Sequence, residues 1–396
     1  MSTTRRSVRW VEPGQTPLEP RYVVWELTLK CDLACRHCGS RAGRVRADEL
    51  SLDEARSVIE QLAALGTEAI TFIGGEAYLH ADWLAIVEAT VQAGIHATLT
   101  TGGRGLTPAL CRQAAAAGMS GVSVSIDGMA STHDTLRAVP GSFEAALRAL
   151  DATRDAGMRP MTNTQFSRLN LHEVDALADL FVAHGAVAWQ VQLTGPMGRA
   201  ADRPEWLLQP YEIIELVDAL AQASRRLREA VPGFVLNAGN NLGYFGPHES
   251  DIREAPYPGC QAGSYILGIE SNGDIKGCPS LPSGPYVGGN VRETSLAQLW
   301  QNNVTIGFSR EDTATRRAAL WGHCGTCYYA DHCLGGCTWT AHTLLGRPGN
   351  MPYCYHRAET LRAKGRRERI RKVEAAPGTP FDFGRFELVE EDWTAP

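Results

Sequence analysis

No stretch of the 396-residue chain approaches the ~18 consecutive apolar residues that a membrane span needs. Charge of one sign is also scarce in excess. The 38 Lys and Arg face 44 Asp and Glu, a formal −6, which gives no general attraction to nucleic acid or an anionic lipid surface. Met1 to Trp10 is polar and arginine-bearing and has no apolar stretch before a small-residue cleavage site. These absences predict a cytoplasmic protein with neither membrane nor nucleic acid among its partners. With 44% apolar and 21% charged residues, a disordered or collagen-like chain is excluded, and the length allows a core of about 200 to 250 residues plus a second domain.

What the chain does have is 11 cysteines. In a reducing compartment disulfides are uncommon, and the number is odd, so metal binding, catalysis or burial of single thiols must explain them. Cys31, Cys35 and Cys38 lie within one octet. Cys260, Cys278, Cys324, Cys327, Cys333, Cys337 and Cys354 form a second, distant group. Two groups predict two sites in two domains. Cys111 belongs to neither and sits in an alanine-rich segment capped by Thr107-Pro108, where a thiol reads as a small buried apolar group.

Between residues 21 and 228 strand-like and helix-like segments alternate. Strands are expected at Tyr22–Leu29, Glu68–Ile73, His96–Thr100, Gly121–Ile126, Arg159–Gln165 and Ala188–Leu193, with helices beginning near Ser51, Ala81, Thr107, Gly141, Leu171 and Gln209. Ser51-Leu-Asp-Glu54 is a capping box. Six βα units imply a parallel sheet with right-handed crossovers. Cys31, Gly74-Gly75-Glu76, Thr101-Gly102-Gly103, Asp127-Gly128, Gln165 and Leu193-Thr194 all fall at strand carboxyl ends, the active face of such folds. A site fed by six strands suits a curved sheet, so the fold predicted is α/β, a partial (β/α)6 TIM-like barrel. The boundaries expected are a tail at 1–20, the barrel at 21–228, a linker at 229–258, a cysteine-rich domain at 259–360, and a C-terminal helix and tail at 361–396, the helix beginning in the basic run Arg362 to Lys372.

Three thiols spaced as Cys31-x3-Cys35-x2-Cys38 can hold three irons of a cubane and leave the fourth open to a ligand. A structural zinc site with His37 as fourth ligand is the alternative on spacing. Among the neighbouring strand ends, Gly74-Gly75 lets a ligand approach the backbone, Glu76 suits an ammonium group, Asp127 ribose hydroxyls, and Arg137 a carboxylate.

The CxxxCxxC after the first strand, Gly-Gly-Glu after the second and Ser125-Ile-Asp127-Gly128 after the fourth resemble a radical S-adenosylmethionine (SAM) enzyme. The resemblance implies that Cys31, Cys35 and Cys38 bind a [4Fe–4S] cluster whose unique iron is chelated by SAM and starts the catalysis. It assigns Gly74, Gly75 and Glu76 to the methionyl amino group, Ser125 and Asp127 to the ribose region, and Arg137 to the carboxylate. Thr101 and Leu193 complete the cofactor-binding set at the third and sixth strand ends. Ala77 in place of the usual proline and His37 in place of an aromatic are departures that remove no ligand.

In the second group Cys324-x2-Cys327-x5-Cys333-x3-Cys337 resembles the SPASM extension of these enzymes, which implies two auxiliary [4Fe–4S] clusters and three clusters in all. By position, Cys324, Cys327, Cys333 and Cys354 fall to one, and Cys260, Cys278 and Cys337 to the other. The latter lacks a fourth cysteine, which leaves Asp251, Glu254 or an open position. Zinc ribbons in a non-enzymatic adaptor are the alternative on spacing. Pro279 stands where sulfatase-maturating relatives carry an aspartate base, so formylglycine formation is disfavoured.

SPASM domains accompany maturases of ribosomally made peptides, and Gly-Gly-Glu-Ala-Tyr-Leu79 looks most like that group. The expected activity is a radical SAM oxidoreductase that abstracts hydrogen from a precursor-peptide residue and forms a C–C or C–heteroatom crosslink. Its expected partners are the precursor peptide and an electron donor such as flavodoxin or ferredoxin. About 20 residues precede the first strand, too few for a leader-binding domain, which leaves leader recognition to a separate leader-binding protein, to the SPASM surface, or to neither. A modified-haem precursor is the alternative substrate. Of the aromatics near cysteines, Tyr265, Tyr328, Tyr329 and Trp339, packing is the expected role.

Overall fold

A computed structural model describes residues 18–253, 257 and 259–394. Most of the 1–20 tail, and Glu254, lie outside the described residues. All six expected strands are present: β1 (Tyr22–Thr28), β2 (Ala69–Gly74), β3 (His96–Thr101), β4 (Gly121–Ser125), β5 (Arg159–Phe166) and β6 (Ala188–Leu193). They pair in sequence order and in parallel. The helices between them start where local chemistry directs. Ser51 and Glu54 form the capping box of α1 (Leu52–Ala64), which is followed by α2 (Trp83–Gln92). Thr107 caps α3 (Pro108–Ala116), whose first residue is the proline.

The crossover after β4 holds two helices where one was expected, α4 (Ala130–Arg137) and α5 (Ser142–Asp155). Asp134 joins them by accepting from Gly141 N, Ser142 Oγ and Phe143 N. Two more helices follow, α6 (Val174–Ala183) and α7 (Ile213–Ala230). Phe72, Leu99, Val124 and Trp189 from the strands pack with Leu62, Val87 and Phe181 from the helices in one apolar core. Across β1 to β3, hydroxyls form a row: Tyr22 Oη and Thr71 Oγ1 are 2.9 Å apart, and Thr71 Oγ1 and Thr98 Oγ1 are 2.8 Å apart.

The sheet extends beyond the expected barrel at both edges. β7 (Val235–Ala238), inside the stretch read as a linker, pairs in parallel with β6. At the other edge β8 (Ile266–Ile269) pairs in parallel with β1, and β9 (Asp274–Lys276) and β10 (Val287–Asn290) continue antiparallel. The cysteine-rich region is thus joined to the barrel by main-chain hydrogen bonds of one ten-stranded sheet.

The basic run does not form the expected helix. A helix ends at Arg362, Gly365 takes a left-handed φ of 70°, and β11 (Arg366–Glu374) forms an antiparallel hairpin with β12 (Arg385–Asp392). The reason lies in the acidic tail: Arg366 faces Glu390 at 2.9 Å and Arg367 faces Glu391 at 2.7 Å, and such cross-strand charge pairs favour the ribbon.

Candidate active site

The first cysteine loop follows β1 directly, and the end of β2 is pressed against it. A Cβ on Gly74 would collide with the Thr28 carbonyl, and one on Gly75 would lie 2.7 Å from Cys31 Cβ. Gly74 also has φ 151°. Their lack of side chains is therefore used by the chain itself, where a ligand's approach was expected. The close packing delivers Glu76 to the loop: Cys31 Sγ, an Asp32 oxygen and a Glu76 oxygen lie within 4.8 Å of one another.

Glu76 is buried and accepts from the Thr101 hydroxyl and from Gly102 N at 2.7 Å. Burial nevertheless pushes it up to about 7. Asp32 accepts from Tyr78 Oη at 2.9 Å through one oxygen, and the other has no hydrogen-bond partner. A buried carboxylate beside an unpartnered one suits an ammonium group. Opposite them, Arg137 places Nη1 3.6 Å from Cys35 Sγ, and its Nε has no partner. Carboxylates and a guanidinium flanking a cysteine triad fit the zwitterionic end of SAM. Asp32 was not singled out in the sequence, where its one signal is its place directly after Cys31 at a strand end.

Asp127 departs from its expected role on the ribose. One of its oxygens accepts from Gln165 N at 2.9 Å, and the other faces Arg137 at 2.5 Å and His37 at 3.0 Å. Against burial, the Arg137 guanidinium, with the His37 hydrogen bond beside it, holds its carboxyl well below the usual range. With both oxygens engaged inside the chain, Asp127 orients Arg137. His37, the local zinc-ligand candidate, turns its other nitrogen to the Leu136 carbonyl at 3.3 Å, so neither ring nitrogen faces the triad. Ser125 is buried at the end of β4, and the Leu193 carbonyl accepts from Asn241 Nδ2 at 2.9 Å.

Two of the triad's thiols, Cys31 and Cys35, resist ionisation. Burial, reinforced by Glu76, pushes Cys31 up to about 12, and burial pushes Cys35 to about 11. Burial likewise raises Cys278, Cys324, Cys333, Cys337 and Cys354, and the seven cysteines of the second group fall into two neighbourhoods by the thiols that influence one another. Cys333, pushed to about 12 by burial, senses Cys354, Cys324 and Cys327, and these four line one cavity with Tyr244, Tyr329 and His356. Cys337, likewise about 12, senses Cys260 and Cys278. Crowded buried thiols become thiolates when a metal supplies the compensating charge.

Leu334, Gly335 and Gly336 take φ of 47°, 79° and 72°, a left-handed run that sends Cys333 and Cys337 to different sites. Asp251, a candidate fourth ligand of the second site, is instead paired with Arg225 at 2.7 Å and His248 at 3.3 Å. Cys111 is fully buried in α3. Of the four aromatics, Tyr328 is exposed, Tyr329 lines the four-cysteine cavity, and the Tyr265 carbonyl accepts from Tyr22 N. Trp339 packs against the main core and against two smaller apolar clusters, one also bordered by Cys31 and Cys38 and the other containing Cys260 and bordered by Cys278.

A family model for the Radical SAM superfamily matches residues 25–181, and one for an iron–sulfur cluster-binding domain, SPASM, matches residues 260–328. The AdoMet-dependent heme synthase of Methanosarcina barkeri is 32% identical over 347 residues, covering 85% of this chain and 97% of that protein. The chain belongs to the radical SAM superfamily.

It is an enzyme with SAM and iron–sulfur clusters as cofactors. The mycofactocin maturase MftC of Mycobacterium tuberculosis H37Rv is 28% identical over 355 residues, covering 87% of this chain and 86% of that protein. Streptococcus suis SuiB bound to S-adenosylmethionine shares the fold at TM-score 0.65 and 18% identity, over 81% of this chain and 74% of that one. The AdoMet-bound anSMEcpe does so at TM-score 0.65 and 14% identity, over 86% and 94%. Among the described residues no helix is long and apolar enough to cross a membrane.

Proposed function

We propose that this radical SAM/SPASM protein is a peptide maturase that removes hydrogen from a precursor-peptide residue and closes a C–C or C–heteroatom bond. When bound, SAM and a reduced cluster supply a 5′-deoxyadenosyl radical able to take hydrogen from an unactivated C–H bond. Cys31, Cys35 and Cys38 hold that cluster. Glu76 and Asp32 receive the SAM ammonium group, Arg137 its carboxylate, and Asp127 and His37 fix Arg137 in place. Two auxiliary clusters, on Cys324, Cys327, Cys333 and Cys354 and on Cys260, Cys278 and Cys337, bring the total to three.

The observation that carries this reading is Trp339, which packs against the apolar cluster that Cys31 and Cys38 also border and against the one that contains Cys260. Crosslinking leaves an electron on the substrate after hydrogen is lost, and an auxiliary cluster at the three-cysteine site, beyond the Trp339 ring, would accept it. The peptide as substrate is supported by the maturase relatives and by the fold shared with SuiB, itself solved bound to precursor peptide SuiA. A flavodoxin or ferredoxin would supply the reducing electron, and a separate protein would present the leader.

A second reading, a modified-haem precursor as substrate, is favoured by the heme synthase relative. The deciding experiment incubates the anaerobically reconstituted enzyme with SAM, reductant and either a candidate precursor peptide or iron-coproporphyrin. The peptide reading expects deoxyadenosine together with a peptide lighter by one hydrogen pair. Deoxyadenosine formed with the porphyrin and with no peptide rejects it. Iron analysis should give about 12 irons per chain and about four fewer in the Cys31/Cys35/Cys38→Ala variant.

A further inference from the structure

The loop between β11 and β12 lies beyond the residues matched by either family model, yet it enters the active site. Pro377 to Pro380 are exposed, and the chain then turns inward at Phe381, which is 9% exposed. Phe381 shares an apolar cluster with Leu29, Ala42 and Met197, against which Cys31, Cys38 and Trp339 also pack. Two residues on, Phe383 belongs to the same cluster and stands edge-on to His342 at 5.2 Å. His342 Nδ1 is 2.8 Å from the hydroxyl of Tyr286, a side chain packed beside Cys260 and Cys278. One short strap therefore sets one ring at the SAM-cluster cysteines and another at the wall of the three-cysteine site.

The strap is held at a conformational cost. Phe381 has φ 56°, a left-handed conformation that bulky residues avoid. Such outliers persist where the surroundings over-determine them, and they cluster at active sites. Here the ring lies 4.4 Å from Lys276 Nζ and 5.8 Å from Arg46 Cζ, both cations directed at its face. The next residue is the latch. Asp382 accepts from Arg41 Nε at 2.7 Å, Gly378 N at 2.5 Å and Thr379 N at 3.1 Å, and its carbonyl accepts from Gly198 N at 2.8 Å. Arg41 stands in the cysteine loop itself, three residues after Cys38, and has φ 50°.

We propose that residues 378–384 cover the apolar cluster lying between the SAM-binding and three-cysteine sites, with Phe381 a positioning residue that keeps solvent-borne molecules from the radical. The inference rests on the radical SAM reading of the first triad. It deepens that reading by giving a segment outside both matched domains a part in controlling what reaches the radical.

The test uses the reconstituted full-length enzyme with SAM, dithionite and perdeuterated 2-propanol, without substrate, and measures the fraction of deoxyadenosine that carries deuterium. Wild type and Phe381→Leu should give a low fraction. Phe381→Ala and the unlatching Asp382→Asn should each raise it several-fold. A merely structural role for Phe381 would lower total deoxyadenosine and leave the labelled fraction unchanged, and that result overturns the proposal.

A second readout needs no turnover. Amide hydrogen exchange across residues 28–43 and 194–199 should rise in Phe381→Ala and Asp382→Asn and return to the wild-type rate in Phe381→Leu, whereas unchanged exchange in all variants rejects the cover. If wild type makes no deoxyadenosine, the radical SAM reading of the triad has failed, and the exchange measurement still decides whether the strap covers it.

Discussion

His37 Nε2 lies 3.0 Å from Asp127 Oδ2, while its Nδ1 faces the Leu136 carbonyl at 3.3 Å. A histidine between two cysteines of the triad loop thereby has neither ring nitrogen facing the thiols. It fastens the loop to the end of β4 and to α4, the helix that carries Arg137. His37→Phe should retain the full iron content and lose about 1 to 3 kcal/mol of stability, because a buried carboxylate gives up one of its partners. Iron analysis beside thermal melts decides the point, since a loss of about four irons would make His37 a ligand.

His133 Nδ1 accepts the Asp127 amide at 3.1 Å, and burial, aided by the charge of Arg137, lowers its pKa to about 4. The unfolded chain takes up a proton below about pH 6.5, whereas the folded chain does so only near 4. The stability tied to neutral His133 is therefore complete above pH 6.5 and is lost as pH falls toward 4, to a total of about 3 kcal/mol. His133→Asn keeps an acceptor and cannot titrate, so its melting temperature should fall less steeply than that of wild type between pH 6.5 and 4. Parallel curves would show that His133 titrates normally.

Arg357 forms a two-pronged pair with Glu368 of β11, at 2.7 and 2.6 Å, and also donates to Asn350 Oδ1 at 2.7 Å and the Met351 carbonyl at 2.9 Å. Met351 N in turn donates to Cys324 Sγ at 3.4 Å. Arg357→Lys keeps the charge and loses the fork, at a cost of about 2 to 4 kcal/mol. Iron should then leave the four-cysteine site more readily, seen as faster loss to a chelator, with the other sites retained.

Cys111→Ala should bind as much iron as wild type and lose about 1 to 2 kcal/mol, the consequence of removing a small buried group from α3. Altered iron content would give this thiol a place in metal binding.

The six barrel strands and the two sequence groups of cysteines were legible because each rests on short-range signals: strand-length apolar runs, caps, and spacings along the chain. The elements misread depend on distant partners. Arg366–Glu374 is as compatible with a helix as with a strand until residues 385–392 lie opposite it. Ile266–Ile269 is four residues long and becomes a strand by pairing with β1. At the site, the residue types were legible and their pairings were not. Asp127 and Arg137 were each expected to meet the cofactor separately, and the geometry joins them to each other. Asp32 carries no periodicity or motif, and its importance comes from the strand end that brings Glu76 beside it.

The pairing of β8 with β1 also bears on how the protein is made. Ser271 reaches Glu26 across 245 residues of sequence, so the edge of β1 from which the first cysteine loop emerges stays uncovered until that length has been synthesised. At about 5 to 20 residues per second the ribosome needs on the order of 10 to 50 seconds for it. Through that interval Cys31, Cys35 and Cys38 wait on a half-built sheet, so the cell must keep three neighbouring thiols reduced and unmetallated, or load them early, before the chain can seal them in.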